Sequence, residues 1–138
     1  MVFQKKLTFL TEGHGEITDL TRDVSRVVSE SGIRTGLVHV FNAGSTGAVT
    51  TIEYEPGLRE DLPRFLDRVI PEDADYLHDR TWHDGNGHSH IQASVMGPSL
   101  TVPVSAAQPA LGTWQQIIHV ECDVKARRRT VFVTVYGD

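Results

Sequence analysis

The final third of the chain is a series of β-rich runs with short gaps, and this feature most constrains the fold. Leu100 to Val104, Trp114 to Val120 and Thr130 to Tyr136 are predicted strands because they are rich in β-branched and aromatic residues. Successive parallel strands need a crossover of a dozen or more residues, usually a helix. The gaps are too short for that, so they predict an α+β fold with antiparallel or mixed sheets.

The first half of the chain alternates between strand and helix patterns. The predicted strands are, in chain order, Val2 to Leu10, a short run at Ile17, Thr35 to Phe41 and Ala48 to Tyr54. The first helix follows Thr18 or Asp19 as its cap and ends at Gly32, where glycine favours the left-handed conformation. The second helix carries an apolar face from Leu58 to Val69 and stops before Pro71.

The whole chain, residues 1–138, is predicted to be one domain, since its length is typical of a single domain. The predicted order is β-β-α-β-β-α followed by three to four strands, the fourth being Ile91 to Met96. Glu72 to Ser89 has no sustained period and is predicted to be a functional loop.

Charge and apolar patterning exclude several classes of protein. Thirteen Lys and Arg against eighteen Asp and Glu give a net charge of −5, which argues against nonspecific nucleic-acid binding. No window approaches 18 apolar residues, so no membrane span is predicted. Cys122 is the only cysteine and no signal peptide is recognisable, so we expect a cytoplasmic protein with a buried or spectator thiol.

Four of the seven histidines lie between residues 78 and 90, namely His78, His83, His88 and His90. Imidazole is a common metal ligand and titrates near neutrality, so the cluster predicts either a metal site or acid–base chemistry. If residues 88–90 are extended, His88 and His90 project to the same side. A polar loop whose histidines cap turns is the alternative.

Two segments have the composition of an anion site. Gly44-Ser45-Thr46-Gly47 offers backbone N–H groups and two hydroxyls to a phosphate or carboxylate, although a structural hairpin explains it as well. Lys125 and Arg127 to Arg129 form a basic cluster in an acidic chain. Guanidinium groups suit bidentate phosphate recognition, and a solvated turn is the alternative.

Three acidic residues are candidates for positioning or metal ligation. Glu53 stands in a β-branched run, where a carboxylate needs a partner unless it faces solvent. Glu121 and Asp123 flank the end of a later strand, and either could bind a metal or orient a histidine. Gln115, in the segment Gly112 to Gln116, could line a pocket or a subunit contact.

The chain resembles the YjbQ family, small proteins often described as secondary thiamine-phosphate synthases. The motifs that carry the resemblance are Gly85-Asn86-Gly87-His88-Ser89-His90, Gly97-Pro98-Ser99, Val102-Pro103-Val104, Leu111 to Gln115, and Glu121 and Asp123 with Arg127 to Arg129. In the first half, Ser45 to Ala48, Glu53 and the stretch from Glu55 to Leu62 also fit. The resemblance thus covers nearly the whole chain.

The resemblance implies an α+β homotrimer with a pocket near the subunit contacts. It implies an enzyme that joins hydroxymethylpyrimidine pyrophosphate to thiazole phosphate and releases pyrophosphate. The implied catalytic residues are His78, His90 and Glu53. The implied substrate-binding residues are Ser45, Thr46, Asn86, Gln115, Arg127 and Arg129. A divalent metal, zinc or magnesium, would be held by His78, His90 and Glu121, with His83 and His88 as further candidates.

Two positions depart from the family's pattern. Many members carry a histidine and an asparagine where this chain has Gly44 and Ile52. Two other functions are alternatives to the transferase, and the departure at Gly44 favours the second of them. One is a zinc hydrolase of a small substrate, with a metal-bound water as nucleophile. The other is a noncatalytic trimer that binds a phosphorylated metabolite.

Overall fold

The computed structural model describes residues 1–138 and has the α+β architecture predicted from the sequence. The strands are β1 (Val2–Leu10), β2 (Ile17–Asp19), β3 (Gly36–Asn42), β4 (Gly47–Ile52), β5 (Ser99–Ser105), β6 (Gln108–Pro109), β7 (Gln116–Glu121) and β8 (Arg128–Gly137). The helices are α1 (Thr21–Ser31), α2 (Pro56–Val69), α3 (Leu77–Trp82) and α4 (Gly87–Met96). None of the helices has the length and apolar character needed to cross a bilayer.

The strands form two sheets in which every pair is antiparallel. The larger sheet has the order β1-β8-β3-β5-β6 and the smaller one β2-β7-β4. β8 lies between β1 and β3, with Val133 opposite Lys5 on one side and Val40 on the other. The β-branched and aromatic residues of β8 favour a strand at this central position. Val131, Val133 and Val135 are buried on one face, and the alternate residues are partly exposed on the other.

The sheets and helices stack in layers. On β7, Ile117 belongs to the larger apolar cluster, which joins the small sheet to the large sheet and α1. Ile118 and Val120 belong to the second cluster, to which α2 contributes Leu66 and α4 contributes Ala93. Successive strand residues point to opposite faces, so β7 is buried on both sides in the middle layer.

The ends of α1 and α2 follow from local chemistry. The N-cap of α1 is Leu20, which makes no side-chain capping bond, so the predicted cap at Thr18 or Asp19 is wrong by one or two residues. Asp19, one residue before this cap, accepts from the Thr21 amide at 2.9 Å. Gly32 ends that helix in the left-handed conformation, φ 73°, as predicted. At α2, the Glu55 side chain accepts from the Gly57 and Leu58 amides.

The segment between α2 and β5 differs from the sequence-based expectation. The predicted loop contains α3, and the predicted strand from Ile91 to Met96 is part of α4. His88 and His90 therefore do not project to one side, because residues two apart on a helix point about 200° apart. His88 is buried, while His90 lines a surface pocket. The sequence of α4 shows no apolar helical periodicity, because this helix buries polar residues such as Ser89 and Gln92.

Candidate functional site

A polar pocket of about 360 Å³ opens where several elements end or begin. It is lined by nine residues, none of them hydrophobic: Gly44, Ser45, Thr46, Asp84, Asn86, His90, Arg127, Arg128 and Arg129. They come from the β3–β4 turn, the start of α4 and the start of β8. We call this cavity the arginine pocket. We call Gly44-Ser45-Thr46-Gly47 the hydroxyl turn. The pocket thus brings together this turn, the arginines and His90, which the sequence analysis singled out separately.

Arg129 is held in place by a buried ion pair. Its Nε donates to Glu121 Oε1 at 2.8 Å and its Nη2 donates to Glu121 Oε2, while Thr11 donates to Glu121 Oε1 at 2.7 Å. Arg129 Nη2 also reaches the Thr46 hydroxyl at 2.9 Å. A carboxylate with no solvent exposure needs this compensation. Glu121 therefore orients an arginine and does not orient a histidine.

Arg127 is fixed by a second carboxylate. Its Nε donates to Asp123 Oδ2 at 2.7 Å, and the Thr46 hydroxyl donates to the same oxygen at 2.9 Å. Burial alone would raise the pKa of Asp123, but the hydrogen bonds from Arg127, Thr46 and the Val124 amide together lower it. Asp123 is thus an ionised anchor. Arg128, which is exposed, has no carboxylate partner.

Two histidines and an amide stand at the start of α4. His78 Nε2 lies 3.0 Å from the Asn86 side-chain amide and 3.4 Å from Asp84 Oδ1. With its nitrogen on this side, the Asn86 amide donates to His78 Nε2 at 3.0 Å and to Asp84 Oδ1 at 2.9 Å. The His78 and His90 rings are 4.4 Å apart between centroids. Of these two histidines, only His90 lines the arginine pocket. His78 contacts the His90 ring without lining the pocket.

The buried side-chain amide of Asn42 forms hydrogen bonds to the backbone of the hydroxyl turn. Asn42 donates to the carbonyls of Gly44 and Gly47 at 3.0 and 3.3 Å, and its Oδ1 lies 3.0 Å from His119 Nε2. Burial lowers the pKa of His119 to about 4, so its neutral ring donates to Asn42. A Cβ at Gly47 would lie 2.8 Å from His119 Nε2, which explains the glycine.

Gly44, one of the two departures from the family's pattern, makes room for Arg129. A Cβ at this position would lie 2.9 Å from Arg129 Nη1. A larger residue at position 44 therefore requires Arg129 to move. Ile52, the other departure, is at the far end of β4 and packs against the second apolar cluster.

Two predicted site residues lie elsewhere. Glu53 is exposed and lines a separate cleft with Trp114, beyond the end of β4 opposite the hydroxyl turn. Gln115 donates to Thr51 at 3.2 Å and lines a third cleft. The position of Glu53 follows from the direction of β4, because Ser45 and Thr46 precede this strand and Glu53 follows it. Gln115 precedes β7, which pairs antiparallel with β4, so Gln115 lies at the same end as Glu53.

The predicted metal ligands do not assemble. No three His, Cys, Asp or Glu side chains are arranged to hold a metal ion. Glu121 is engaged by Arg129 and Thr11, and His88 is buried beside His14, with 5.3 Å between ring centroids. His83 is exposed at the end of α3. A resident zinc site needs at least three protein ligands, so these residues do not fit one.

Several residues of the site are not recognisable in the sequence. Thr11 and Asn42 act through partners 110 and 77 residues away, Glu121 and His119 respectively. Asp79 accepts from the Gly87 amide at 2.9 Å and so joins α3 to the start of α4. No local signal identifies such pairs, because they depend on which strand ends the topology brings together.

Comparison with known proteins places the chain in a family. The family model described as "UPF0047 protein YjbQ-like" matches residues 5–138. The chain belongs to the YjbQ/UPF0047 family. This confirms the resemblance stated from the sequence motifs.

Relatives in the YjbQ/UPF0047 family span the same length. A UPF0047 protein of Methanothermobacter thermautotrophicus is 39% identical over 136 residues, covering 99% of this chain and 93% of the relative. UPF0047 protein YjbQ of Escherichia coli O157:H7 is 31% identical, with full coverage of both chains. Neither name states an activity or a ligand.

Solved structures share the fold. A YbjQ-like protein of unknown function from Sulfolobus solfataricus P2 superposes with a TM-score of 0.90 at 28% identity, covering 100% of both chains. A YjbQ/UPF0047 family protein from Clostridium acetobutylicum gives a TM-score of 0.83 at 34% identity, covering 94% of this chain and 99% of the other. The two-sheet fold is therefore that of the YjbQ/UPF0047 family.

Proposed function

We propose that this chain is an enzyme of a small phosphorylated substrate, whose phosphate or pyrophosphate group lies in the arginine pocket. The observation that carries the proposal is the lining: three consecutive arginines and two hydroxyl residues, with no hydrophobic side chain, in a chain of net charge −5. Guanidinium groups and hydroxyls are the usual donors to phosphate oxygens.

The three arginines make different contributions to anion binding. Arg127 and Arg129 are neutralised in part by Asp123 and Glu121, which fix their orientation. Arg128 adds a positive charge without a carboxylate partner. The start of α4 faces the same cavity through Asn86, and the positive end of a helix dipole favours an anion there.

Within this class, we propose pyrophosphate displacement of the thiamine-phosphate synthase type, as the family resemblance implies. A pyrophosphate leaving group gains negative charge as its bond to carbon breaks, and preorganised donors lower that barrier. Arg127 to Arg129 and Ser45 would bind this group. The Thr46 hydroxyl, predicted to bind substrate, donates to Asp123 and accepts from Arg129, so it would position the arginines instead. His90 would hold or donate a proton at the departing oxygen, and His78 would position His90 through their ring contact.

A divalent metal enters the proposal as magnesium that accompanies pyrophosphate. Mg²⁺ keeps several waters and needs only one or two protein carboxylates besides phosphate oxygens. Asp84 lines the pocket and would be the carboxylate ligand, while it also accepts from the Asn86 amide. The zinc-hydrolase alternative loses its support, because Glu121 does not join His78 and His90 in a cluster of ligands.

The test is product formation. The protein is incubated with hydroxymethylpyrimidine pyrophosphate, thiazole phosphate and magnesium, and thiamine phosphate is measured together with released pyrophosphate. We expect both products in equal amounts, with a loss of about 100-fold in rate for His90→Gln, typical of a general acid. His83→Asn is the control, since His83 is exposed outside the pocket and asparagine tolerates its φ of 58°.

Binding without turnover is the second candidate, favoured by Gly44 in place of the family's histidine. It predicts that pyrophosphate raises the midpoint of thermal unfolding while no thiamine phosphate forms. If pyrophosphate does not bind and no thiamine phosphate forms, both candidates are contradicted.

A homotrimer remains part of the proposal on the strength of the family resemblance. In one chain, Glu53 and Gln115 line other clefts, so they act on the same substrate only if a neighbouring subunit supplies them. Light scattering after size-exclusion chromatography tests assembly. A mass of three chains supports it, and the 15.3 kDa mass of one chain refutes it.

A further inference from the structure

A separate cleft lies at the end of β4 that is remote from the arginine pocket. It measures about 280 Å³ and is lined by Glu53, Tyr54, Glu55, Thr113, Trp114 and Gln116. No residue of this lining also lines the arginine pocket. We call this cavity the tryptophan cleft. It contains two features that the sequence analysis singled out and that the arginine pocket does not use, Glu53 and part of the segment from Gly112 to Gln116.

The charged groups of the tryptophan cleft are all acidic. Its lining includes two carboxylates, Glu53 and Glu55, and no lysine, arginine or histidine. The Glu55 carboxylate is engaged, because it accepts from the Gly57 and Leu58 amides at the start of α2. Glu53 is exposed and takes part in none of the ion pairs of the chain. A cleft with a free carboxylate and no cation of its own attracts a positively charged ligand.

Trp114 gives the tryptophan cleft an aromatic wall that the rest of the chain leaves uncovered. Trp114 is 72% exposed, and its ring has no aromatic or cationic partner within the chain. The Tyr54 ring already has a partner, since the Arg59 guanidinium lies 4.4 Å from its centroid. Arg59 lines a different cavity. The free indole face is therefore available to a ligand, and indole is the aromatic surface that attracts cations most strongly.

This lining suits an organic cation better than a metal ion. Calcium takes about six to eight oxygen ligands, and Glu53 is the only carboxylate of the cleft without a partner. An organic cation needs fewer polar contacts, because one carboxylate balances its charge while its carbon atoms contact the ring. A bare ammonium group is strongly hydrated, so alkyl groups on the nitrogen favour transfer from water to the indole face.

We propose that the tryptophan cleft binds a small organic cation, an ammonium ion that carries methyl or larger alkyl groups, against the Trp114 ring and beside the Glu53 carboxylate. This inference goes beyond the proposed function, because it concerns a different cavity and requires neither a phosphate group nor the arginines. It gives Glu53 and Trp114 a binding role within a single chain.

The fluorescence of Trp114 reports binding directly once the other tryptophan, the exposed Trp82, is replaced by phenylalanine. The full chain carrying Trp82→Phe is titrated with tetramethylammonium chloride. Tert-butyl alcohol serves as an uncharged ligand of similar shape, and sodium chloride controls for ionic strength. We expect a saturable change in fluorescence with tetramethylammonium and no saturable change with the other two.

Two variants of the same chain separate charge from ring contact. Glu53→Gln should weaken tetramethylammonium binding about fivefold, as expected for an exposed ion pair. Glu12→Gln is its matched control, since Glu12 is also an exposed glutamate but lies outside the cleft, and it should leave binding unchanged. Trp114→Leu, followed by broadening of the ligand's methyl NMR signal, should weaken binding about tenfold.

Three results would overturn the inference. The first is the absence of a saturable response to tetramethylammonium. The second is an equal response to tert-butyl alcohol, which would show an apolar site without preference for charge. The third is equal weakening in Glu53→Gln and Glu12→Gln, which would reflect only the net charge of the chain. None of these results bears on pyrophosphate binding, so the proposed function is tested separately.

Discussion

At the scale of single residues, the ion pair between Glu121 and Arg129 is the most strongly constrained contact of the site. Both side chains are almost fully buried, with exposures of 0% and 6%. Arg129→Met leaves the carboxylate without its cation, and breaking a buried pair in this way costs about 3–5 kcal/mol. We expect the free energy of unfolding in urea to fall by that amount.

The double variant Glu121→Leu with Arg129→Met is the control for this prediction. It removes the unpaired charge together with the cation, so it should recover most of the lost stability. Equal losses in the single and double variants would show that packing of the arginine, and not charge compensation, holds this region together.

His14 provides a pH-dependent contact on the other side of α4. Its Nδ1 is 2.9 Å from the Cys122 carbonyl and its Nε2 is 2.7 Å from Asp67 Oδ1. Burial lowers the pKa of His14, but the hydrogen bonds to Asp67 and Cys122, with the charges of Asp67 and Glu72, raise it overall. Since both acceptors require an N–H, the favoured form is the imidazolium.

A raised histidine pKa stabilises the fold below its unfolded value of about 6.5, and the effect fades as pH rises through the folded value. His14→Gln should therefore lower the free energy of unfolding more at pH 5.5 than at pH 8.5, as measured by urea denaturation. An equal loss at both pH values would contradict the charged form of His14.

At the scale of elements, the junction of α3 and α4 controls where His78 and His90 stand. Gly87 begins α4, and a Cβ there would lie 2.5 Å from Tyr76 Cβ. Gly87→Ala should push the start of α3 away, at a cost of about 1–3 kcal/mol in unfolding free energy. Pyrophosphate binding should weaken as well. Gly112→Ala is the control, because its Cβ finds only ordinary contacts.

The strands and α1 could be predicted because local sequence decides them. Thr130 to Tyr136 is β-branched or aromatic almost throughout, and Gly32 supplies the left-handed residue that ends α1. α4 could not be predicted, because Gly87 to Gln92 buries glycine, histidine, serine and glutamine against neighbours distant in the sequence. Its apolar periodicity is too weak to distinguish a helix from a strand.

At the scale of the whole molecule, the site exists because the layers bring distant strand ends together. The turn after β3, the residues that follow β7 and the first residues of β8 meet beside the start of α4. Residue types alone singled out the hydroxyl turn, the arginines and His90 as candidates. They could not show that Glu53 and Gln115 line other clefts, since that depends on the direction of β4 and the pairing of β7.

The central claim is that the arginine pocket binds the phosphate part of a substrate, and titration with pyrophosphate tests it most directly. We expect saturable binding of one pyrophosphate per chain, about tenfold weaker in Arg128→Gln, a change of about 1.4 kcal/mol. Lys125→Gln, an exposed cation outside the pocket, should bind like the unchanged chain. No saturable binding, or equal weakening in both variants, would contradict the claim.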